Sequence, residues 1–492
     1  MKIFAFVLLL GLFHHHLLAQ GLSFESDFTD HEVIPVDGKG FLLASSYATK
    51  MDSIVLVYWD INGQPKSTVT IPLKRALGEL NLEDIFVWND KVVVLKSLFY
   101  SGQQRNHLLL YEYSLPDLEL IHSEQLTTAF NPFDLRLPFH YDLSPDSSKL
   151  LITAWSFFAS DSLAQMELKI FDSAWQELEK RQRQLPYQNE KISIYGCKID
   201  DESNAYILGD VYTGKNINYI KPQEITNFTI ASFQGLDKVQ TYEMKMPEYV
   251  VDTWHFELDQ QQNLVAIGLC RESAKVLIEG SIFFRLSKKD RTISQFVQKV
   301  DKEAFIAAFE FNDLGFRTPK NRLIAYDLKN VFFKENTYYI IAERFNSNTN
   351  ELQDIFVMSI NLDGTLNWMR RLPKAQRLEF GTNVHTSFTS IEQEESLLFF
   401  YNGNASNFEK ERTDKLKSTT TKNAVLCVTK LHLETQEISR QQLGDLFPKG
   451  YLVTPEFNKK IAADKVVAIA NGIYNNAKPL NKFNVQILKI GR

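Results

Sequence analysis

Cysteine is scarce in this 492-residue chain: the three residues Cys197, Cys270 and Cys427 are too few, and odd in number, for a disulfide-built scaffold. Each sits in an apolar, strand-like context (YGCKI, IGLCRE, VLCVTK), which reads as a buried free thiol. With 44% apolar and 23% charged residues the composition is ordinary for a globular protein, and nothing points to bulk disorder. An excess of positive charge is also lacking. The 54 Lys and Arg face 60 Asp and Glu, a formal net charge of -6, which argues against a nucleic-acid role because that needs a basic face. Beyond the N-terminus no apolar run approaches the roughly 20 residues that cross a bilayer. Also missing are G-x-S-x-G, H-E-x-x-H, a Walker loop and a dinucleotide fingerprint. No residue is therefore assigned a catalytic role, and neither a cofactor nor a metal is expected.

What is present starts with MKIFAFVLLLGLFHHHLLAQG, in which basic Lys2, an apolar run from Ile3 to Phe13 and small Ala19 before Gln20 have the pattern of a secretory signal over residues 1–19. The compact signal and its A-Q junction resemble those of Bacteroidetes-type exported proteins. That resemblance implies a periplasmic or extracellular bacterial location, with residues 20–492 as one mature domain.

The mature sequence repeats a single grammar: an alternating arm, a short polar turn and a more continuous apolar arm. Copies lie at 31–47, 83–100, 139–155, 195–212, 254–269, 330–345, 387–401 and 457–474. Seven are followed by a second strand-turn-strand, whereas the eighth stops after FNVQILKIGR. With the four strands named a to d, the pattern predicts an all-β propeller of eight (or seven) antiparallel blades, whose strands b and c are apolar because both faces are buried. The alternating segment LSFESDF, 22–28, is expected to supply the missing last strand and so close the ring.

One hairpin carries a family likeness. S-P-D-S-S-K-L-L-I-T, 144–153, resembles the S-P-D-G-x-x-[IL] hairpin of WD40-like repeats in TolB-type and prolyl-oligopeptidase-type propellers, with Ser147 in place of the usual glycine. NLDGTLNW, 361–368, is similar to the turn-plus-Trp of quinoprotein-type repeats, one residue shorter. These resemblances imply the propeller class and no activity. Pro145 and Asp146 are sufficiently explained as turn formers.

In such a wheel the b-to-c and d-to-a connections share one face. Here these are the long ones, including 213–227, 301–328, 402–423 and 475–482, and long loops on a rigid scaffold are where binding concentrates. The mixed-charge run 408–422 reads as a solvated loop. Aromatics recur at the end of strand b: Tyr47, Tyr100, Trp155, Tyr212, Phe345, Tyr401 and Tyr474. Their functional reading is a stacking ring at the channel mouth, and their structural reading is repeated packing between blades. His140, Asp142, Trp254 and His255 would form a polar cluster only if blades 3 and 5 met at the channel. The leading expectation is a non-enzymatic binding propeller for a protein or polysaccharide. The rivals are a carbohydrate-active hydrolase or lyase with acids in its channel, and a structural component of an envelope assembly.

Overall fold

The computed structural model describes residues 19–25, 28–47, 53–75, 78–131, 139–158, 162–188, 191–212, 225–245, 249–272, 280–299, 326–346, 351–377, 385–408, 416–420, 423–443, 451–455, 458–472 and 482–490. The expected signal at 1–19 lies outside these apart from Ala19. Alternating apolar residues broken by short polar turns give hairpins, and the hairpins assemble into eight sheets.

In a-to-d order, blade 1 is Phe28–Val36, Gly40–Tyr47, Ser53–Asp60 and Pro65–Pro72, and blade 2 is Gly78–Trp88, Lys91–Tyr100, Arg105–Ser114 and Leu120–Phe130. Blade 3 is Phe139–Leu143, Lys149–Ser156, Leu163–Asp172 and Glu177–Gln188, and blade 4 is Ile192–Ile199, Ala205–Tyr212, Ile225–Gln234 and Lys238–Lys245. Blade 5 is Tyr249–Leu258, Leu264–Glu272, Gly280–Leu286 and Ile293–Lys299, and blade 6 is Tyr326–Lys334, Thr337–Asn346, Glu351–Asn361 and Leu366–Leu372. Blade 7 is Thr389–Gln393, Ser396–Asn404, Ala424–His432 and Ile438–Gln442. In blade 8 strand a is split into Tyr451–Val453 and Lys459–Ala462, followed by Lys465–Gly472 and Lys482–Lys489.

The last place in blade 8 is taken by Ala19–Glu25, antiparallel to Lys482–Lys489 with Leu22 opposite Val485 and Phe24 opposite Phe483. The closing strand thus starts three residues earlier than the sequence pattern suggests, and Phe28 already belongs to strand a of blade 1. The propeller is eight-bladed. Its core is eight apolar layers, each shared by consecutive blades, and the eighth joins Ile461, Val467 and Ile469 of blade 8 to Val33, Phe41 and Leu43 of blade 1.

Burial grades outward as the pattern predicts. Strand b of blade 7 is buried along its whole length, whereas strand d of blade 3 alternates and is largely exposed. Full burial of an aliphatic or aromatic side chain such as Leu397 or Phe399 contributes about 1.5–3 kcal/mol.

The turns have a recurring chemistry. Asp60, Asp172, Asp200 and Asp259 each accept from the backbone N–H two and four residues on, at 2.8–3.0 Å. The residue between those donors adopts positive φ: Gly63 (77°), Trp175 (64°), Ser203 (67°) and Gln262 (60°). A short carboxylate at the first turn position satisfies backbone donors that a tight reversal would leave unpaired. In the 144–148 turn Ser144 Oγ donates to Asp146 Oδ1 at 2.7 Å, the Ser148 N–H donates to the same oxygen at 2.9 Å, and Ser147 takes φ 56°.

Candidate functional site

The face formed by b-to-c and d-to-a connections carries a buried polar network across blades 6, 7 and 8. At its centre is Lys374, just past strand d of blade 6 and 2% exposed. Its Nζ donates to Glu343 Oε1 in strand b of blade 6 and to Gln376 Oε1 at 2.7 Å, and lies 5.7 Å from the Phe388 ring centre. Glu343 Oε2 accepts from Ser387 Oγ at 2.6 Å, and Gln376 Nε2 donates to the Asn402 carbonyl at 2.8 Å. Asn402 in turn donates to the carbonyls of His385 (2.7 Å) and Val453 (2.6 Å), carrying the chain of bonds into blade 8.

Beside it Asp354, fully buried, pairs with Arg371 and accepts from the Tyr326 hydroxyl. Burial works to raise the Asp354 carboxyl, but the Arg371 guanidinium, helped by Arg344 and Tyr326, holds it below the usual range. Burial lowers the Lys374 ammonium against the opposing pull of Glu343. A buried charge is tolerable only when paired and hydrogen-bonded, and both pairs meet that condition. The network can hold backbone connections in place; its ammonium and carboxylates are already matched to each other.

Residues 416–420, from the b-to-c connection of blade 7, dock on the segment that follows Lys374. Asn407 makes a reciprocal pair with the Lys417 backbone (2.8 and 2.9 Å), Asn404 Nδ2 donates to the Ser418 carbonyl at 3.0 Å, and Thr419 bridges Ala375 and Arg377 through its backbone at 2.9 and 3.1 Å. Leu416 packs on Ala375. This corrects the reading of 408–422 as a simply solvated loop: residues 416–420 form a strap docked on the segment that contains Lys374. Amide side chains paired to backbone outweigh the charged composition here.

A second polar group faces the channel. Glu32 (blade 1), Asp84 (blade 2), Tyr141 (blade 3) and Lys459 (blade 8) lie on strands a of four consecutive blades. Burial raises the Glu32 carboxyl, with Asp84 adding to the effect and Lys459 opposing it; Asp84 is likewise raised by burial, against the Tyr141 hydroxyl bond. Glu32 is nonetheless solvent-accessible, the combination expected of a side chain surrounded by protein but facing a narrow aqueous channel. Phe86 stacks on Tyr141 at 6.1 Å. At the short-turn end a cavity of about 410 Å³ is bounded by Pro145, Glu257, Asp259, Gln262, Phe333 and Glu392, from blades 3, 5, 6 and 7. Among the described residues no group of three or more His, Cys, Asp or Glu is placed to hold a metal ion.

The recurrent aromatics occupy different settings. Tyr401 is buried between blades 6 and 7 with its hydroxyl 3.0 Å from Thr429 Oγ1, and Trp155 is half-buried against the layer between blades 3 and 4. Tyr100 is half-buried, edge-on to His107 at 5.5 Å, and Phe345 is half-buried at the end of strand b in blade 6. Tyr47 and Tyr212 end strands b of blades 1 and 4, and Tyr474 lies outside the described residues. Tyr401 and Trp155 therefore belong to separate layers.

The other sequence candidates are also dispersed. Asp142 bonds Lys198 at 2.8 Å, Trp254 stacks on Phe228 at 4.2 Å, His255 lies 3.4 Å from Glu257, and burial lowers His140. The three cysteines are buried thiols outside any disulfide, and burial pushes the Cys427 thiol up to about 12. Nothing local in RRLPKAQ marks Lys374, because its partners come from distant connections.

No family model matches the chain, and no curated protein does. Among solved structures it is similar to the WD40 domain of SCAP from fission yeast (TM-score 0.42, 11% identity, 96% of this chain and 98% of that one). It is also similar to prolyl oligopeptidase B from Galerina marginata (0.42, 10%, 92% and 55%) and to the β-propeller domain of the Trilobed protease from Pyrococcus furiosus (0.39, 13%, 89% and 100%). The blade count and ring closure rest on this chain's own sheet order and layers.

Proposed function

We propose that the chain is an exported, non-enzymatic binding propeller, periplasmic or extracellular in a bacterium, that recognises a protein or a polysaccharide through the face of its b-to-c and d-to-a connections. Export is supported by Lys2, the apolar run and Ala19 at the N-terminus. The binding reading is carried by one observation: the strap 416–420 is fixed to the segment after strand d of blade 6 through the backbone of Thr419, and to blade 7 through Asn404 and Asn407. A loop ordered in advance loses less conformational freedom on binding, so its surface is suited to recognition. The test compares the wild-type chain with Asn404→Ala/Asn407→Ala on immobilised envelope proteins and on a glycan array. Loss of a wild-type signal in the variant supports the reading, and undiminished binding overturns it.

A second reading is favoured by Glu32, Asp84 and Tyr141, a carboxyl pair and a hydroxyl gathered at the channel. Paired carboxyls with raised affinity for protons are the equipment of a carbohydrate-active enzyme. Cleavage of a polysaccharide by the wild type that Asp84→Asn abolishes would establish it.

A further inference from the structure

The outer wall of blades 2 and 3, at the same end of the propeller, encloses a groove of about 440 Å³, within the roughly 300–1,000 Å³ of ordinary small-molecule sites. We propose that this groove binds a neutral oligosaccharide; the proposal rests on the chain being a binding propeller that uses this face.

One wall is an aromatic platform. Phe158 is 46% exposed, unusual for a phenyl group, and is stacked on Phe130 at 5.3 Å with 30° between the ring planes. The two rings are held together through the backbone: the Phe157 N–H donates to the Phe130 carbonyl at 2.7 Å, and the Phe130 N–H donates to Ser156 Oγ at 3.2 Å. A supported, half-exposed ring presents a flat apolar surface of the kind on which the C–H face of a pyranose stacks.

The facing wall is amide-rich. Cross-strand register sets Gln165 opposite Gln184 and Glu167 opposite Gln182, on the face of blade 3 turned to blade 2. Among the described residues no side-chain hydrogen bond engages Gln165, Gln182 or Gln184. Each amide offers both donors and an acceptor, the complement of vicinal hydroxyls.

Charge decides the ligand class. Glu167 is already matched, accepting from Thr127 Oγ1 at 2.7 Å and lying 3.0 Å from Lys180 Nζ. Arg183 is likewise spent on the Leu236 carbonyl at 2.7 Å and the Asp237 carbonyl at 3.2 Å, with the Asp237 carboxylate 3.6 Å away. With the ionic groups compensated, the free recognition groups are a phenyl face and neutral amides. These suit a polyhydroxylated uncharged chain over an acidic or basic peptide.

The experiment titrates the purified full chain with neutral gluco-, xylo- and manno-oligosaccharides by calorimetry and saturation-transfer NMR. At least one series binds, Phe158→Ala weakens it by about tenfold or more, Phe158→Tyr retains it, and Ile121→Ala, outside the groove, changes nothing. Unchanged melting of Phe158→Ala, expected from its exposure, keeps the comparison valid; Gln184→Ala, with several-fold weaker binding, reads the same site independently. No oligosaccharide binding, binding that survives both substitutions, or uptake of a glutamine-rich peptide in place of sugars would overturn the assignment. Envelope binding sensitive to the strap variant alone would leave the broader function standing while this site fails.

Discussion

The indole Nε1 of Trp88 donates to the backbone carbonyl of Ser147 across 2.7 Å, joining the end of strand a in blade 2 to the turn of blade 3. Trp88 also meets Trp175 edge-on at 5.1 Å and 84°, and Trp175 donates to Glu112 Oε1 at 2.9 Å. The turn is held from its other side too, since the Asp146 N–H donates to Asp201 Oδ1 at 2.9 Å and Lys149 Nζ donates to the Asp201 carbonyl at 2.6 Å. Neighbouring blades are thus fastened at their turns as well as through their apolar layers.

Trp88→Phe keeps most of the apolar contact and removes the donor. It should destabilise the chain by about 1–2 kcal/mol, the cost of one lost hydrogen bond and a partly vacated site. Denaturant midpoints measure it, and an unchanged midpoint would show that the turn bond carries no weight.

Removing residues 20–25 strips blade 8 of its last strand and exposes the hydrogen-bonding edge of Lys482–Lys489, together with the flank of buried Val485 and Leu488. The melting temperature should fall by several degrees, on the order expected for a few kcal/mol in a chain of this size. Equal melting of the two proteins would mean that the ring does not depend on this strand.

Burial lowers His385 from its ordinary 6.5 to about 4, with the backbone at Val453 working the other way. The unfolded chain therefore binds this proton near 6.5 and the folded chain only near 4. The stability contribution is full above 6.5 and is lost as pH falls towards 4, by about 3 kcal/mol in all. Asp210 acts oppositely: burial raises it to about 6, so its contribution is present below its ordinary 3.8 and is lost as pH rises through 6. Because the two overlap, the readout is the difference between wild type and His385→Gln in denaturant midpoints from pH 4 to 7. That difference should shrink as pH falls, and a constant offset would exclude the linkage.

Glu343→Gln or Lys374→Met alone leaves one buried charge unmatched and should cost about 3–5 kcal/mol, while the double replacement should cost clearly less than the sum. Additive losses in such a cycle would show that the pair is not coupled.

The hairpins were legible because alternation and turn residues are local properties. All eight proposed a-b pairs are strands, and the Asp-x-x-x-Asn/Gln spacing that seats Asp200 and Asp259 is visible once the turn geometry is known. The closing strand was legible through Leu22 and Phe24, but its start at Ala19 was not, since register is fixed by partners at the far end of the chain. The polar network was illegible for a related reason: Glu343, Lys374, Ser387 and Asn402 come from four separate segments and meet only when blades 6 and 7 have assembled. Composition misdirected the reading of 416–420, where Thr419 docks through backbone atoms that composition does not record. Phe158 stood beside Trp155 in the sequence, and only the fold separates a ring turned to solvent from one packed between blades.

The pairing of Ala19–Glu25 with Lys482–Lys489 also sets an order of events. Of the propeller strands described, the first in the chain is the last to find its place, because its partner, Lys482–Lys489, is the last of them to be made. The entropic cost of joining such distant ends grows only logarithmically with the intervening length, so the delay, more than the distance, is the hazard. Until the two pair, blade 8 stands open at its rim, and any helper that shields that rim would serve the chain best in the moments just after Lys482–Lys489 emerges.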